Sequence, residues 1–410
     1  MTVFASQAIH GENTRTDAHG ALRGPVYDGV AFEFSDADAI RLAFEGRKPA
    51  HAYTRISNPT VTEFENRVRL LADAFAVVAV SSGMAAISNV LMTLAESGAN
   101  LITTRWVFGN TYSLFEHTFK PWGLETRYVN MADLAAIEAA IDNKTRAIFL
   151  EVISNPQLQV TDIAAIARVA HAHGVPLVLD GTVTTPYLFR SKDYGVDVEV
   201  ISSTKYISGG ATTMGGLIVD NGIFEWKQNP RLATSAHRFG PGALVATLRR
   251  EVFRNTGACL APHNAYLQML GLETLALRIE RSSSNALAVA AWLESQAKVG
   301  RVNYPGLASF PAYELAQIQF PRGAGGILTF ELADRNAAFD FQNQLRLIRR
   351  ATNINDNKSL ILHPASTIFC EFGPDEKQAM GVSDAMLRLS VGIEDVNDLI
   401  EDLERGLAAL

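Results

Sequence analysis

Apolar positions follow two spacings along this chain, and the switches between them mark its elements. Short unbroken apolar runs read as buried strands, and apolar residues three and four apart read as helices. Phe64, Val68, Leu71 and Phe75 carry helical spacing behind an Asn58-Pro59 turn, with Pro59 suited to open the helix. A strand is predicted over 76–80, then Ser81-Ser82-Gly83-Met84 turns into an apolar helix that reaches about residue 94. A strand over 101–104, a helix over 111–118 and a strand over 147–151 follow. Thr161-Asp162 then caps a helix through Ile163, Ile166 and Val169 to Gly174. A strand over 175–179 delivers Asp180 at its carboxyl end, and another over 196–201 runs into Ser202.

Alternating strands and helices predict an α/β fold with a mostly parallel, doubly wound sheet over 58–256. Residues 1–57 read as an irregular arm broken by Gly11, Gly20, Gly24, Pro25 and Gly29, which packs on a second subunit. The remainder, 257–410, reads as a smaller α+β domain. Its elements are a long helix over 265–293, a break at Asn303-Tyr304-Pro305-Gly306, strands over 326–332 and 387–391, and helices over 337–347 and 396–407.

Composition narrows the class. With 410 residues, 48% of them hydrophobic and 19% charged, the chain has ample core for a folded enzyme. A net charge of −7 argues against nucleic acid as a partner, and Arg346, Arg349 and Arg350 read as a solvated helix face. Two cysteines, Cys259 and Cys370, make neither a disulfide framework nor a zinc ribbon. Glu12 and Asp17 sit where a secretory leader would be basic and then apolar. The uncharged run over 74–95 contains Ser81, Ser82, Gly83, Ser88 and Asn89, so strand, turn and helix explain it better than a membrane span. The expected location is the cytoplasm, with no membrane partner.

One stretch concentrates the candidate chemistry: Val200-Ile201-Ser202-Ser203-Thr204-Lys205-Tyr206-Ile207-Ser208-Gly209-Gly210. A lone lysine is ordinarily a solvated surface charge. Here hydroxyls and glycine amides around it suit a phosphate. A partly desolvated lysine beside a phosphate site can lose its proton and form an imine, which points to pyridoxal 5'-phosphate (PLP). The Ser82-Gly83 turn reads either as an ordinary strand-to-helix turn or as a second anion site, since helix-opening amides are free and the dipole favours negative charge. His171 and His173 read as helix-end histidines meeting the dipole, not as metal ligands.

These pieces together resemble the cystathionine γ-synthase-like (Cys/Met metabolism) family of PLP enzymes. The motifs are Tyr53-x-Arg55-x-x-Asn58-Pro59-Thr60, Ser81-Ser82-Gly83-Met84, Asp180, Ser202-x-Thr204-Lys205 and the terminal Arg388-Leu389-Ser390-Val391-Gly392. The resemblance implies the aspartate aminotransferase-like fold, with PLP held by Lys205 as a Schiff base. It implies that Asp180 pairs with the pyridine nitrogen, and that Ser82, Gly83, Met84, Ser202 and Thr204 hold the phosphate. It further implies that Tyr53 and Arg55 complete that site from a neighbouring subunit, in a dimer or a dimer of dimers. The resemblance also implies that Arg388 clamps the substrate carboxylate, with Asn155 and Asn353 beside it.

Two residues depart from the family pattern. Phe108 stands where a stacking tyrosine is usual, so stacking survives while the phenol is lost. Tyr53 or Tyr112 could supply the missing proton donor. Gly181 stands where many members place asparagine.

Several segments are similar to the O-acetylhomoserine sulfhydrylase branch: 253–262, 271–275, Asn353-Ile354-Asn355-Asp356 and His363-Pro364-Ala365-Ser366-Thr367. Cys259 then reads as a small apolar residue. The segment between Asp220 and Gly257 is shorter than expected for that branch. The implied activity is γ-replacement on an O-acylhomoserine by sulfide or a thiol, giving homocysteine or methionine. The alternatives are a methionine γ-lyase, a cystathionine γ-synthase or γ-lyase, and a PLP-binding protein without catalysis.

Overall fold

The computed structural model describes residues 4–11 and 19–410, so the leader argument from Glu12 and Asp17 lies outside the described residues. A seven-stranded sheet is built from β1 (Ala76–Val80), β2 (Asn100–Thr103), β3 (Glu125–Tyr128), β4 (Thr145–Glu151), β5 (Leu177–Asp180), β6 (Val198–Ile201) and β7 (Gly216–Asp220). Its strand order is β1-β7-β6-β5-β4-β2-β3. The pairs among β2 to β6 are parallel, whereas β7 runs antiparallel to both β1 and β6. The expected mostly parallel α/β sheet is therefore present, with β7 inserted the other way.

Alternation of side chains splits this sheet's core into two layers. Val78, Val80, Val178, Val198 and Val200 pack on one face against the helix Gly83–Leu94. Leu177 and Leu179 point to the other face beside the helix Ile163–Ala172, while Ala79, Leu217 and Val219 face Phe64 and Val68 of the helix Pro59–Ala72. Caps fix where these helices start: Asn58 accepts Thr60 N–H at 2.9 Å, Ser82 accepts Ala85 N–H at 3.1 Å and Asp162 accepts Ala165 N–H at 2.9 Å.

A second, five-stranded sheet has the order β10-β11-β12-β9-β8. Its strands are β8 (Arg301–Asn303), β9 (Ile327–Glu331), β10 (Arg349–Arg350), β11 (Leu360–Leu362) and β12 (Met386–Ser390). The helices Leu275–Glu294 and Val396–Ala408 cover one face of it through Val289, Leu293, Leu399 and Leu403. No helix of the described residues is long and apolar enough to cross a membrane.

The structure corrects three expectations. The arm is not wholly irregular, because it contains the helices Phe4–His10 and Ala37–Phe44. The helix expected over 265–293 is two helices, Pro262–Glu273 and Leu275–Glu294, parted at Thr274. Arg346, Arg349 and Arg350 do not share a helix face. The helix before them ends at Gln344, and Arg349 and Arg350 form the exposed edge strand β10, where charge discourages edge-to-edge pairing.

Candidate active site

The carboxyl ends of β4, β5 and β6 open onto a cavity of about 350 Å³, the edge where open α/β sheets bind ligands. Ser82, Gly83, Met84, Phe108, Asn155, Asp180, Ser202, Thr204, Lys205 and Arg388 all line it. Ten predicted residues from separate parts of the chain thus meet in one place. A larger open groove of about 850 Å³, walled by Phe4, Tyr187 and Arg322, holds none of them.

Lys205 follows β6 and the Ser202-Ser203-Thr204 run. Its Nζ donates to Asn353 Oδ1 at 2.5 Å, and Asn353 Nδ2 donates to Asp356 Oδ2 at 3.3 Å. Burial, and then the charge of Arg388, pulls its ammonium down to about 8, against the pull of Asp356. A lysine so placed gives up its proton near neutrality.

Arg388 sits on β12, so the second sheet delivers a cation into the first sheet's cavity. Nη1 donates to Asn155 Oδ1 at 3.0 Å, and Nη2 donates to the carbonyls of Thr352 and Asn353 at 3.2 and 3.4 Å. Its buried Nε has no hydrogen-bond partner among the described residues. Burial lowers this guanidinium to about 9, and an incoming carboxylate would offset that cost.

Asp180 ends β5, where Oδ1 accepts Thr182 N–H at 2.8 Å. Thr182 Oγ1 in turn accepts Ser202 N–H at 2.8 Å, tying the strand ends together. Burial pushes Asp180 up from the usual carboxylate range, and the Thr182 hydrogen bonds oppose it. The neighbouring Glu151 is pushed up further, by burial and by the charge of Asp180. Both carboxyls line the cavity, so a cationic group bound beside Asp180 would offset their mutual repulsion.

The phosphate-type end lies at the helix Gly83–Leu94. Ser82 satisfies the amides of Ala85 and Ala86 through its hydroxyl and carbonyl, at 3.1 and 3.0 Å. Gly83 and Met84, in the same first turn, face the cavity. A Cβ on Gly83 would fall 2.6 Å from Ser202 Cβ, so only glycine lets the helix start against Ser202. Thr204 Oγ1 is engaged with Gly215, bonding both its N–H and its carbonyl at 3.1 Å.

Tyr53, Arg55 and Tyr112 do not line the cavity of their own chain, and Asn353 meets the site through its bond to Lys205 Nζ. Tyr53 is exposed with the Arg55 guanidinium over its ring, and Arg55 Nη1 donates to the Arg254 carbonyl at 2.6 Å. The Tyr112 hydroxyl accepts from Arg105 at 3.1 Å within the core. His171 and His173 pair separately, with Asp197 and Glu138.

Sequence reasoning missed the organising part of Glu151. Its Oε1 accepts Phe108 N–H at 2.6 Å and its Oε2 accepts Asn155 N–H at 2.9 Å. One carboxyl therefore positions both cavity turns. The Glu151-x-x-x-Asn155 spacing held part of that signal. Thr111, one turn after Phe108, and Thr182, Met214 and Thr352 were also missed as wall residues.

Known proteins place this geometry. Residues 5–408 match the model of the Cys/Met metabolism PLP-dependent enzymes. The chain is similar to a putative O-acetylhomoserine (thiol)-lyase of Campylobacter jejuni, solved with a pyridoxyl-lysine, at 35% identity and a TM-score of 0.96 over 99% of this chain and all of that one. It is 50% identical to the O-acetylhomoserine sulfhydrylase of Wolinella succinogenes, with a TM-score of 0.77 over 86% of this chain and 98% of that one. The L-methionine gamma-lyase of Pseudomonas putida is 38% identical over 99% of this chain and 97% of its own length.

The cavity fits PLP on its own features. A depressed lysine amine, a partly buried carboxyl with no cationic partner among the described residues, and a glycine-opened helix turn match the aldehyde, the pyridine nitrogen and the phosphate. Lys205, Asp180 and the Gly83–Met84 turn could hold those three groups, with Phe108 against the ring.

Proposed function

The chain belongs to the Cys/Met metabolism PLP-dependent enzymes, and from that membership we propose that it catalyses γ-replacement on O-acetylhomoserine, or another O-acylhomoserine, with sulfide or a thiol. The observation that carries the reading is the convergence of Lys205, Asp180 and the Arg388–Asn155 pair on one cavity. Bound there, PLP withdraws electrons from the substrate Cα. Lys205 Nζ takes the Cα proton, since with its ammonium drawn down to about 8 roughly a tenth of it is neutral at pH 7. Arg388 holds the substrate carboxylate, and Asn155 holds Arg388. Asp180 keeps the pyridine nitrogen protonated. Asn353 accepts from Lys205 Nζ whenever that amine is free.

The same reading gives the arm a purpose. None of the helix Ala37–Phe44 is buried within the chain, and Ile40 and Phe44 expose apolar surface there. We place 1–57 as an arm on a second subunit, ahead of a PLP-binding unit over 58–256 and a C-terminal unit over 257–410. Tyr53 and Arg55 then complete the phosphate site of the partner in a dimer or a dimer of dimers. Mixing Lys205→Ala with Arg55→Ala protein, each inactive alone, should restore activity in mixed oligomers. No recovery after subunit exchange would confine Arg55 to its own chain.

Likeness to the Wolinella succinogenes sulfhydrylase supports replacement over elimination. A second reading, γ-elimination of methionine, draws on likeness to the Pseudomonas putida lyase. The deciding experiment supplies O-acetylhomoserine, O-succinylhomoserine, cystathionine and methionine, each with and without sulfide. Homocysteine formed from O-acetylhomoserine only when sulfide is present is the expected result. Methanethiol and 2-oxobutyrate from methionine would overturn it.

A further inference from the structure

Glu199 is a fully buried acid in the middle of β6 that the chemistry above does not use. Its Oε2 accepts the Ser191 hydroxyl at 2.6 Å, and Ser191 Oγ accepts Asn221 Nδ2 at 3.1 Å. Its Oε1 has no hydrogen-bond partner among the described residues. That oxygen lies against Gly181, the residue after Asp180, where a Cβ would fall only 1.9 Å from it. Gly181 does not adopt a positive φ, so what a side chain here would meet is the Glu199 carboxyl and not a backbone restriction. The carboxyl of Glu199 occupies the space that a side chain at 181 would need.

We propose that Glu199 is a positioning residue for Asp180: its carboxyl fills the room left by Gly181 beneath the Asp180–Thr182 turn and sets the electrostatic surroundings in which Asp180 meets the cofactor nitrogen. The turn connects the two acids. Gly181 N–H donates to the Val200 carbonyl at 2.9 Å, one residue beyond Glu199. Thr182 N–H holds Asp180 Oδ1 at 2.8 Å.

The ionisable groups on the surrounding elements are Glu151 on β4, Asp180 on β5, Asp220 on β7, and Asp197 on β6 itself with His171 on the helix Ile163–Ala172. Of these, Asp180 is the one whose charge acts on Glu199. Burial first, and that charge second, push Glu199 up to about 8 against the Ser191 hydrogen bond. Two neighbouring buried carboxyls resist ionising together. Below that pH the proton stays on Glu199, and Asp180 alone carries the charge. Above it a second negative charge lies beneath Asp180 and strengthens its hold on a protonated pyridine nitrogen.

The proposal rests on the reading that PLP sits on Asp180, and its test separates the two. In the wild-type holoenzyme, infrared spectra between about pH 6 and pH 10 should show a protonated carboxyl band that disappears near pH 8 and is absent from Glu199→Gln. The absorbance of bound cofactor, followed over the same range, should titrate with a midpoint about half a unit apart in the two proteins, a threefold change in proton affinity. A Gly181→Asn variant should lose stability, and Glu199→Val should restore it; that double variant also lacks the acid and replaces Glu199→Gln should the latter not fold. Identical cofactor titrations, no titrating carboxyl band, or a Gly181→Asn variant as stable as wild type would each overturn the proposal. A wild-type protein that takes up no PLP overturns both readings, whereas a yellow one indifferent to Glu199 overturns this one alone.

Discussion

Arg388 Nη1 donates to Asn155 Oδ1 at 3.0 Å, and this bond joins the two sheets at the candidate site. Asn155 follows β4 of the large sheet, while Arg388 stands in the middle of β12 of the small one. The guanidinium is buried and held on one side by Asn155 and by the Thr352 and Asn353 carbonyls, with Nε left over. A planar fork fixed in this way suits a carboxylate, which a lysine would meet as a point charge.

Arg388→Lys should therefore damage substrate capture far more than cofactor retention. Losing charged hydrogen bonds worth about 2 kcal/mol lowers kcat/KM roughly 30-fold. The dissociation constant for PLP should stay near the wild-type value. Steady-state kinetics beside a PLP titration read the two separately, and equal losses in both would contradict the carboxylate role.

Much of this site was legible in the sequence because its groups sit in local contexts. Lys205 follows an apolar strand and a hydroxyl run, Asp180 ends a strand, and Ser82-Gly83 opens a helix. What escaped depends on distant partners. β3 is an edge strand with half-exposed residues, so it carries no apolar run. β10 and β11 are two and three residues long, too short for periodicity to register. Thr274 parts two helices without proline or glycine of its own. Glu151 reads as the last residue of a strand; only the folded chain brings Phe108 N–H onto its carboxyl. The Glu199–Gly181 contact is likewise invisible along the chain, because it crosses from β6 to the end of β5.

Phe108 offers a test of the missing phenol, since neither Tyr53 nor Tyr112 lines the cavity of its own chain. Phe108→Ala should weaken PLP binding about fivefold through lost stacking worth about 1 kcal/mol. Phe108→Tyr should leave that affinity intact. With a proton donor added near the leaving group, kcat for O-acetylhomoserine should rise by about tenfold or more. An unchanged kcat would assign the proton to a group already present, with Lys205 the nearest amine.

Asn355 adopts φ +55 in the buried loop between Asn353 and Asp356. Its N–H donates to Ser390 Oγ at 2.7 Å, two residues past Arg388. Glycine tolerates this left-handed backbone and alanine does not. Asn355→Ala should cost about 1–2 kcal/mol in urea unfolding, and Asn355→Gly no more than a few tenths. A cost as large for glycine as for alanine would shift the blame from backbone strain to the lost side chain.

Asp220, at the end of β7, gives a pH signature with a definite sign. Oδ1 accepts Gly222 N–H at 2.9 Å, while Oδ2 has no hydrogen-bond partner among the described residues. Burial, with the charge of Asp197 adding to it, pushes this carboxyl up to about 7. A folded pKa above the unfolded value of about 4 means that the protonated form favours folding. The contribution is complete below pH 4 and is lost as pH rises to about 7, where the folded chain must bury a carboxylate. Asp220→Asn cannot titrate and escapes that loss. Its stability relative to wild type should therefore improve between pH 4 and pH 8, on the order of a few kcal/mol. Denaturant unfolding of both proteins at several pH values reads this difference directly, and a difference flat across the range would show that folding does not raise the Asp220 carboxyl.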